Sequence, residues 1–139
     1  MPVRQLLVAS PAYLASHPPI LAPQDLMAHS CLSLGEQLGD NRWRFSRGKE
    51  TSEVLVQGRY TVNHSEMRLE AVQAGLGVGC LPDFAAAAAI KAGRVVPVLP
   101  EWFYEANYQG TAYMLFAPSR YTVPKVRVLI DHFASCLQA

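Results

Sequence analysis

The 139-residue chain has the length of one domain, and half of its residues are apolar, which is enough to bury a core. The formal net charge of +1 gives no reason to expect that this chain contacts nucleic acid itself. No apolar run could span a membrane and no signal peptide is visible, so we expect a cytoplasmic protein without a membrane partner.

Cysteine and histidine usage argues against disulfides, metals and catalysis. Cys31, Cys80 and Cys136 are widely spaced and odd in number, which is typical of a reducing compartment. The four histidines have no spacing that suits a metal ion, and no nucleophile motif of the Gly-x-Ser-x-Gly type occurs. The sequence therefore predicts no catalytic residue, no metal and no cofactor, and the protein is expected not to be an enzyme.

Local patterns predict strands and helices that alternate through most of the chain, which indicates the α/β class. Predicted strands are 5–9, 31–34, 42–46, 52–57, 60–62, 78–81, 94–99 (an edge strand, because it contains Pro97) and 111–117. Predicted helices are 11–16, 23–29, one that ends at Gly75, an alanine-rich one that runs from an Asp83 cap to Gly93, and a last one capped by Thr122. The remaining stretches, including 35–41 and 101–110, are predicted loops.

The most informative stretch is 60–83, which predicts strand, helix, glycine turn and strand. Asn63 is the expected helix cap, and Glu66, three residues later, could bond back to the Asn63 amide as in a capping box. A helix that begins directly after a strand presents free amides and the positive end of its dipole, which together suit an anion.

The candidate ligand-binding residues follow from that geometry. They are Asn63, His64 and Ser65 at this helix, and Ser10 and Pro11 at the start of the first helix, which has the same character. Two helix N-termini that face one cleft would favour a small carboxylate.

Seven segments together resemble the effector-binding domain of LysR-type transcriptional regulators. They are LLVASPAYL (6–14), WRF (43–45) followed by VLVQG (54–58), VNHSEMRLEAVQAGLGVGCLP (62–82), AGRVVPVLP (92–100), AYMLFAPS (112–119) and PKVRVLID (124–131). The resemblance covers essentially the whole chain in order. No segment of this sequence resembles the family's N-terminal winged helix-turn-helix, its linker helix or the first half of its subdomain I.

The resemblance implies a periplasmic-binding-protein-like (type 2) fold, with crossover strands at 5–10 and 112–118. Residues 10–111 would be subdomain II, and residues 3–9 and 115–139 would be remnants of subdomain I. It further implies that a small-molecule effector binds between the two subdomains and modulates transcription, and that DNA is contacted only through the N-terminal domain of the family.

The last helix carries an apolar stripe at helical spacing, formed by Val126, Leu129, Ile130, Phe133 and Leu137. Because such a stripe needs a cover, we expect a homo-oligomer that assembles through this helix. The alternative is that the helix folds back over subdomain II.

Two other classes of protein remain as alternatives. A solute-binding protein of a transport system shares the fold, but it would need an export signal. A small flavodoxin-like enzyme would need a phosphate loop after the first strand, where this chain has Ser-Pro-Ala-Tyr. The glycines at 75, 77 and 79 do not supply a dinucleotide loop, because they follow a helix and enter a strand.

Overall fold

The computed structural model describes residues 1–115 and 123–138. The elements in chain order are β1 (Pro2–Val3), β2 (Gln5–Ala9), α1 (Pro11–Ala15), a 3-10 helix (Pro23–Ala28), β3 (Cys31–Leu32), β4 (Arg42–Arg47), β5 (Glu50–Leu55), α2 (Ser65–Gln73), β6 (Val78–Pro82), α3 (Asp83–Lys91), β7 (Val96–Pro97), β8 (Phe103–Tyr104), β9 (Gly110–Thr111) and α4 (Pro124–Gln138).

The chain divides into two compact units. The larger unit is Arg4–Gln109, and the smaller unit combines Met1–Val3 with Gly110–Ala139. Strand β2, predicted as a crossover, pairs within the sheet of the larger unit. The subdomain boundaries at residues 10 and 111 stay a prediction.

The centre of the larger unit is a four-stranded sheet in the order β3-β6-β2-β7. Strand β6 is parallel to β3 and antiparallel to β2, and β7 lies at the edge, as its proline predicted. One face of this sheet, with Val8 and Leu81, packs against α2 and α3. The other face, with Leu7 and Cys80, packs against a second sheet.

The second sheet has three strands in the order β5-β4-β8. Trp43 and Phe45 point into the core, each with about 1% of its surface exposed, while the alternating Arg42 and Arg44 face solvent, so the predicted half-buried strand is confirmed. The prediction of an unbroken loop at 101–110 is wrong, because β8 pairs with β4 there. Tyr104 of β8 contacts the rings of Trp43 and Phe45, with centroid separations of 5.4 Å in both cases.

The ends of α2 and α3 confirm the predicted glycine stops. Gly75 and Gly93 have positive φ, and each is followed by an amide that donates to a carbonyl five residues earlier, as in a Schellman motif. At the start of α3 the prediction is wrong. Asp83 is the first helical residue and Pro82 holds the cap position, although the Asp83 Oδ1 still accepts from the Phe84 amide at 2.8 Å.

The smaller unit contains a two-stranded pairing of β1 with β9 and the helix α4. A strand was predicted at 111–117, but only residue 111 belongs to a strand and residues 112–115 do not. The remaining residues of that prediction lie outside the described residues, as do the crossover residues 116–118 and the Thr122 cap. The predicted last helix is confirmed, and Val126, Leu129 and Phe133 on its stripe are exposed. The side chain of Leu137 lies outside the described part. No helix in the described ranges is long and apolar enough to cross a membrane.

The cysteine thiols should differ sharply in reactivity. Cys31 and Cys80 are buried in the sheet core, and burial raises the pKa of Cys31 to about 12 and raises that of Cys80, so neither forms the reactive thiolate readily. Cys136 is exposed. We expect Ellman's reagent to titrate one thiol rapidly in the native protein and the other two only after denaturation. Rapid reaction of two or three thiols in the native protein would contradict this burial.

Candidate functional site at the N-terminal end of α2

The segment that leads into α2 runs beside the end of β3. Thr61 forms an isolated parallel bridge with Ser33, the Val62 amide donates to the Ser33 carbonyl at 3.1 Å, and the two hydroxyl oxygens of Ser33 and Thr61 are 3.3 Å apart. The strand predicted at 60–62 is therefore only a single bridge. α2 begins just beyond the carboxyl end of β3, a place where α/β folds commonly bind ligands.

The cap of α2 differs from the prediction. Its N-cap residue is His64, in an extended conformation (φ −81°, ψ 118°), and no side chain caps the helix. The capping box of Asn63 and Glu66 does not form, because the first helical bond runs from the Arg68 amide to the His64 carbonyl at 3.0 Å. This places Glu66 in the second helical position, one residue too early to bond back.

The consequence is a helix end with free donors. Among the described residues, the amides of Ser65, Glu66 and Met67 have no protein acceptor. Asn63 and His64 are exposed and Ser65 is half-buried, so a ligand could reach this end. The exposed Glu66 carboxylate also lies in the first turn, where it partly offsets the positive end of the dipole.

A buried arginine lies beneath this end. Arg68 is 1% exposed, its Nε donates to the Cys80 carbonyl at 2.7 Å, and its Nη1 donates to the Val62 carbonyl at 2.5 Å. No carboxylate pairs with it among the described residues. The guanidinium therefore ties the segment before α2 to β6 and adds positive charge beneath the free amides. The sequence pattern did not reveal this role, because an arginine in a polar helix resembles a surface residue.

Ser10 and Pro11 lie elsewhere. Ser10 is buried, and its Oγ caps α1, as predicted, by accepting from the Tyr13 amide at 3.2 Å. A Cβ placed on Gly75 would lie 3.8 Å from that oxygen, so Ser10 is beside the C-terminal end of α2. Ser65 and Gly75 are separated by about 15 Å of helical rise. The structure thus does not bring the two groups of predicted residues together.

A wide cavity of about 590 Å³ lies between loops 34–40 and 104–108 of the larger unit, and the sequence did not indicate it. Its lining mixes charges, with Asp40 and Glu105 beside Arg42 and Arg44, and both arginines are already paired with Glu53. No group of three potential metal ligands occurs in the part of the chain that the structure describes.

Comparison with known proteins identifies the family. Residues 1–137 match the family model described as LysR substrate binding domain. The chain is 42% identical over 139 residues to a probable HTH-type transcriptional regulator, LtrA of Klebsiella pneumoniae, covering all of this chain and 45% of that protein. It is 35% identical over 128 residues to the regulator PtxR of Pseudomonas aeruginosa, covering 92% of this chain and 40% of that protein.

Solved structures give the same result for the fold. The regulatory domain of AphB in Vibrio vulnificus is 30% identical, superposes with a TM-score of 0.73, and is matched over 96% of this chain and 65% of that one. The chain spans less than half the length of the regulators that it resembles in sequence. The expected periplasmic-binding-protein-like fold class is confirmed, and the chain belongs to the LysR substrate-binding domain family.

Proposed function

We propose that this chain is the effector-sensing part of a bacterial, cytoplasmic LysR-type regulator and that it has no catalytic role. The match of residues 1–137 to the family model carries this proposal. The relatives are named as transcriptional regulators, which favours sensing over solute transport or a flavodoxin-like enzyme. DNA would be contacted through the family's N-terminal domain, and effector binding would bias that protein between two states.

The effector that the site supports best is a small carboxylate at the N-terminal end of α2. The free amides of Ser65, Glu66 and Met67, the helix dipole and the buried charge of Arg68 all favour an anion. Asn63 and His64 would contact the ligand from the exposed rim. Ser10 and Pro11 would not touch the same small molecule, since they lie near the opposite end of α2.

The substitution Ser65→Pro tests this site directly. Ser65 is the first helical residue, where proline fits, and the extended His64 before it suits a following proline, so the fold should persist while one amide donor is lost. We expect the best binder in a panel of acetate, succinate and citrate to lose about tenfold in affinity, the effect of one charge-assisted hydrogen bond. Isothermal titration calorimetry measures this loss.

The matched control is Ser65→Ala, which removes the hydroxyl and keeps the amide. It should weaken binding less than Ser65→Pro does. Equal affinity of the native protein and the Ser65→Pro variant for every carboxylate that binds would rule out this helix end as the site.

We also propose that the chain self-associates through α4. Phe133 on the apolar stripe is 47% exposed. Full burial of an exposed side chain of this kind is worth about 1.5–3 kcal/mol, so covering the exposed half of Phe133 should stabilise a contact by about 1 kcal/mol. Phe133→Glu should therefore shift the protein towards monomer in light scattering. Val128→Glu, on the other side of the same helix, is the control and should leave the mass unchanged. A native protein that is already monomeric would contradict this proposal.

A further inference from the structure

A second groove lies beside the C-terminal end of α2, and the proposed effector site does not use it. Its volume is about 420 Å³, and it is lined by Tyr13, His17, Ser30, Arg59, Tyr60, Gly75 and Leu76. We propose that this groove is a separate binding site for a small aromatic carboxylate. The volume is within the usual range for small-molecule sites.

The charge of the groove favours an anion. Arg59 is exposed, and no carboxylate lies within ion-pairing distance of it in the described part of the chain. None of the lining residues is acidic. The cavity at loops 34–40 and 104–108 differs, because its arginines are already neutralised by a glutamate. A guanidinium that is free on a concave surface can hold a carboxylate through two parallel hydrogen bonds.

The wall of the groove is aromatic and already ordered. The rings of Tyr13 and His17 stack with centroids 3.9 Å apart and planes 20° apart. The His17 Nδ1 lies 2.8 Å from the Tyr13 carbonyl oxygen, which fixes the imidazole. The Tyr13 hydroxyl accepts from the Ser30 amide at 3.1 Å and lies 3.1 Å from the Nδ1 of His29. A flat ring can therefore bind here with little ordering cost.

His29 belongs to the support of this wall and not to its lining. It is buried, with 4% exposed, and desolvation lowers its pKa, so its ring is neutral near pH 7. A neutral ring suits the hydrogen bond with the Tyr13 hydroxyl.

The helix end in the groove does not repel an anion strongly. The C-terminal end of α2 carries partial negative charge, but two of its last carbonyls already accept protein amides: Ala71 from Leu76 at 3.1 Å and Val72 from Gly75 at 3.0 Å. Leu76 itself is 43% exposed and adds apolar surface beside the rings. Three features favour an aromatic acid over an aliphatic one: Arg59, which has no ion-pair partner among the described residues, the apolar side chain of Leu76, and the exposed His17 ring that stacks on the buried Tyr13.

Benzoate tests this proposal, with benzamide as its neutral isostere and acetate as the acid without a ring. We expect calorimetry on the 139-residue chain to give saturable benzoate binding. At this groove, followed through the amide signals of Arg59, Gly75 and Leu76, benzamide and acetate should each bind at least about tenfold more weakly. Arg59→Gln should weaken benzoate by a similar factor. Arg42→Gln, an exposed arginine outside the groove, should not.

Amide shifts in NMR separate this groove from the proposed effector site. Benzoate should move the signals of Arg59, Gly75 and Leu76, and Ser65→Pro should leave its affinity unchanged. The proposal is overturned by absent benzoate binding, by benzamide that binds equally well, by an Arg59→Gln variant with native affinity, or by shifts confined to residues 65–67. Each of these results leaves the proposed carboxylate site at the N-terminal end of α2 standing, since that site is tested by other variants.

Discussion

Replacing Arg68 with methionine is expected to lower the free energy of unfolding by about 3 kcal/mol or more. The substitution keeps much of the apolar stem but leaves the carbonyls of Val62 and Cys80 without their donor. Removing a buried charge can be stabilising when hydrophobic packing replaces an ion pair. Here the partners are backbone carbonyls, which methionine cannot satisfy, so the loss should dominate.

Urea unfolding measures this loss, with Arg94→Met as the control. Arg94 is exposed, so that substitution should change the unfolding free energy by no more than about 0.5 kcal/mol. Because Arg68 also holds the segment that leads into α2, its replacement should weaken carboxylate binding in parallel. If the Arg68→Met variant had the native free energy of unfolding, the two hydrogen bonds from Arg68 to the Val62 and Cys80 carbonyls would not contribute to stability.

Gly77→Ala should destabilise the larger unit by about 3 kcal/mol or more. Gly77 has φ +151°, and a Cβ there would lie 2.0 Å from the carbonyl oxygen of Ser30. That carbonyl accepts from the Val78 amide at 2.8 Å, so it cannot move away without breaking the junction of β3 and β6. Backbone strain and a clash with backbone therefore add to each other.

The matched control for Gly77→Ala is Gly48→Ala. Gly48 also has a positive φ, +60°, but a Cβ there meets nothing within 4 Å. Its replacement should cost only the backbone strain, about 1–2 kcal/mol. Thermal and denaturant unfolding measure both losses. If the two variants lost the same free energy of unfolding, the close approach of Gly77 to Ser30 would not contribute to the cost of Gly77→Ala.

Local sequence patterns were sufficient to predict those strands and helix ends that depend on neighbouring residues. The alternation around Trp43 and Phe45, the buried run of β6 and the glycines after α2 and α3 each depend on a few neighbouring residues. They predicted strands and helix ends that the structure confirms. The family resemblance then supplied the fold class, which these short signals alone did not specify.

Contacts between distant residues explain the rest. Strand β8 exists because Phe103 and Tyr104 pair with a strand more than 50 residues earlier, which no local pattern shows. Arg68 is buried because its acceptors include a carbonyl 12 residues away on β6. The cap at Asn63 was wrong by one residue, because the first helical hydrogen bond is accepted by the His64 carbonyl.

The positions of the candidate ligand residues also depended on tertiary structure. Ser10 and Ser65 each begin a helix after an extended segment, so the sequence treated them alike. In the folded chain β2 brings Ser10 to the C-terminal end of α2, while Ser65 lies at its N-terminal end. Of these two helices, both within the described residues, α2 is longer than two turns and has an N-terminal end without a side-chain cap, while α1 has five residues and is capped by Ser10.

We propose that a small carboxylate binds the free amides at the N-terminal end of α2. An NMR titration of the isotope-labelled chain with acetate, succinate and citrate decides whether it does. We expect at least one of them to shift the amide signals of Ser65, Glu66 and Met67 in a saturable manner, and expect Ser65→Pro to weaken that response. Saturable shifts confined to the loop at 101–110, or none with any of the three acids, would contradict it.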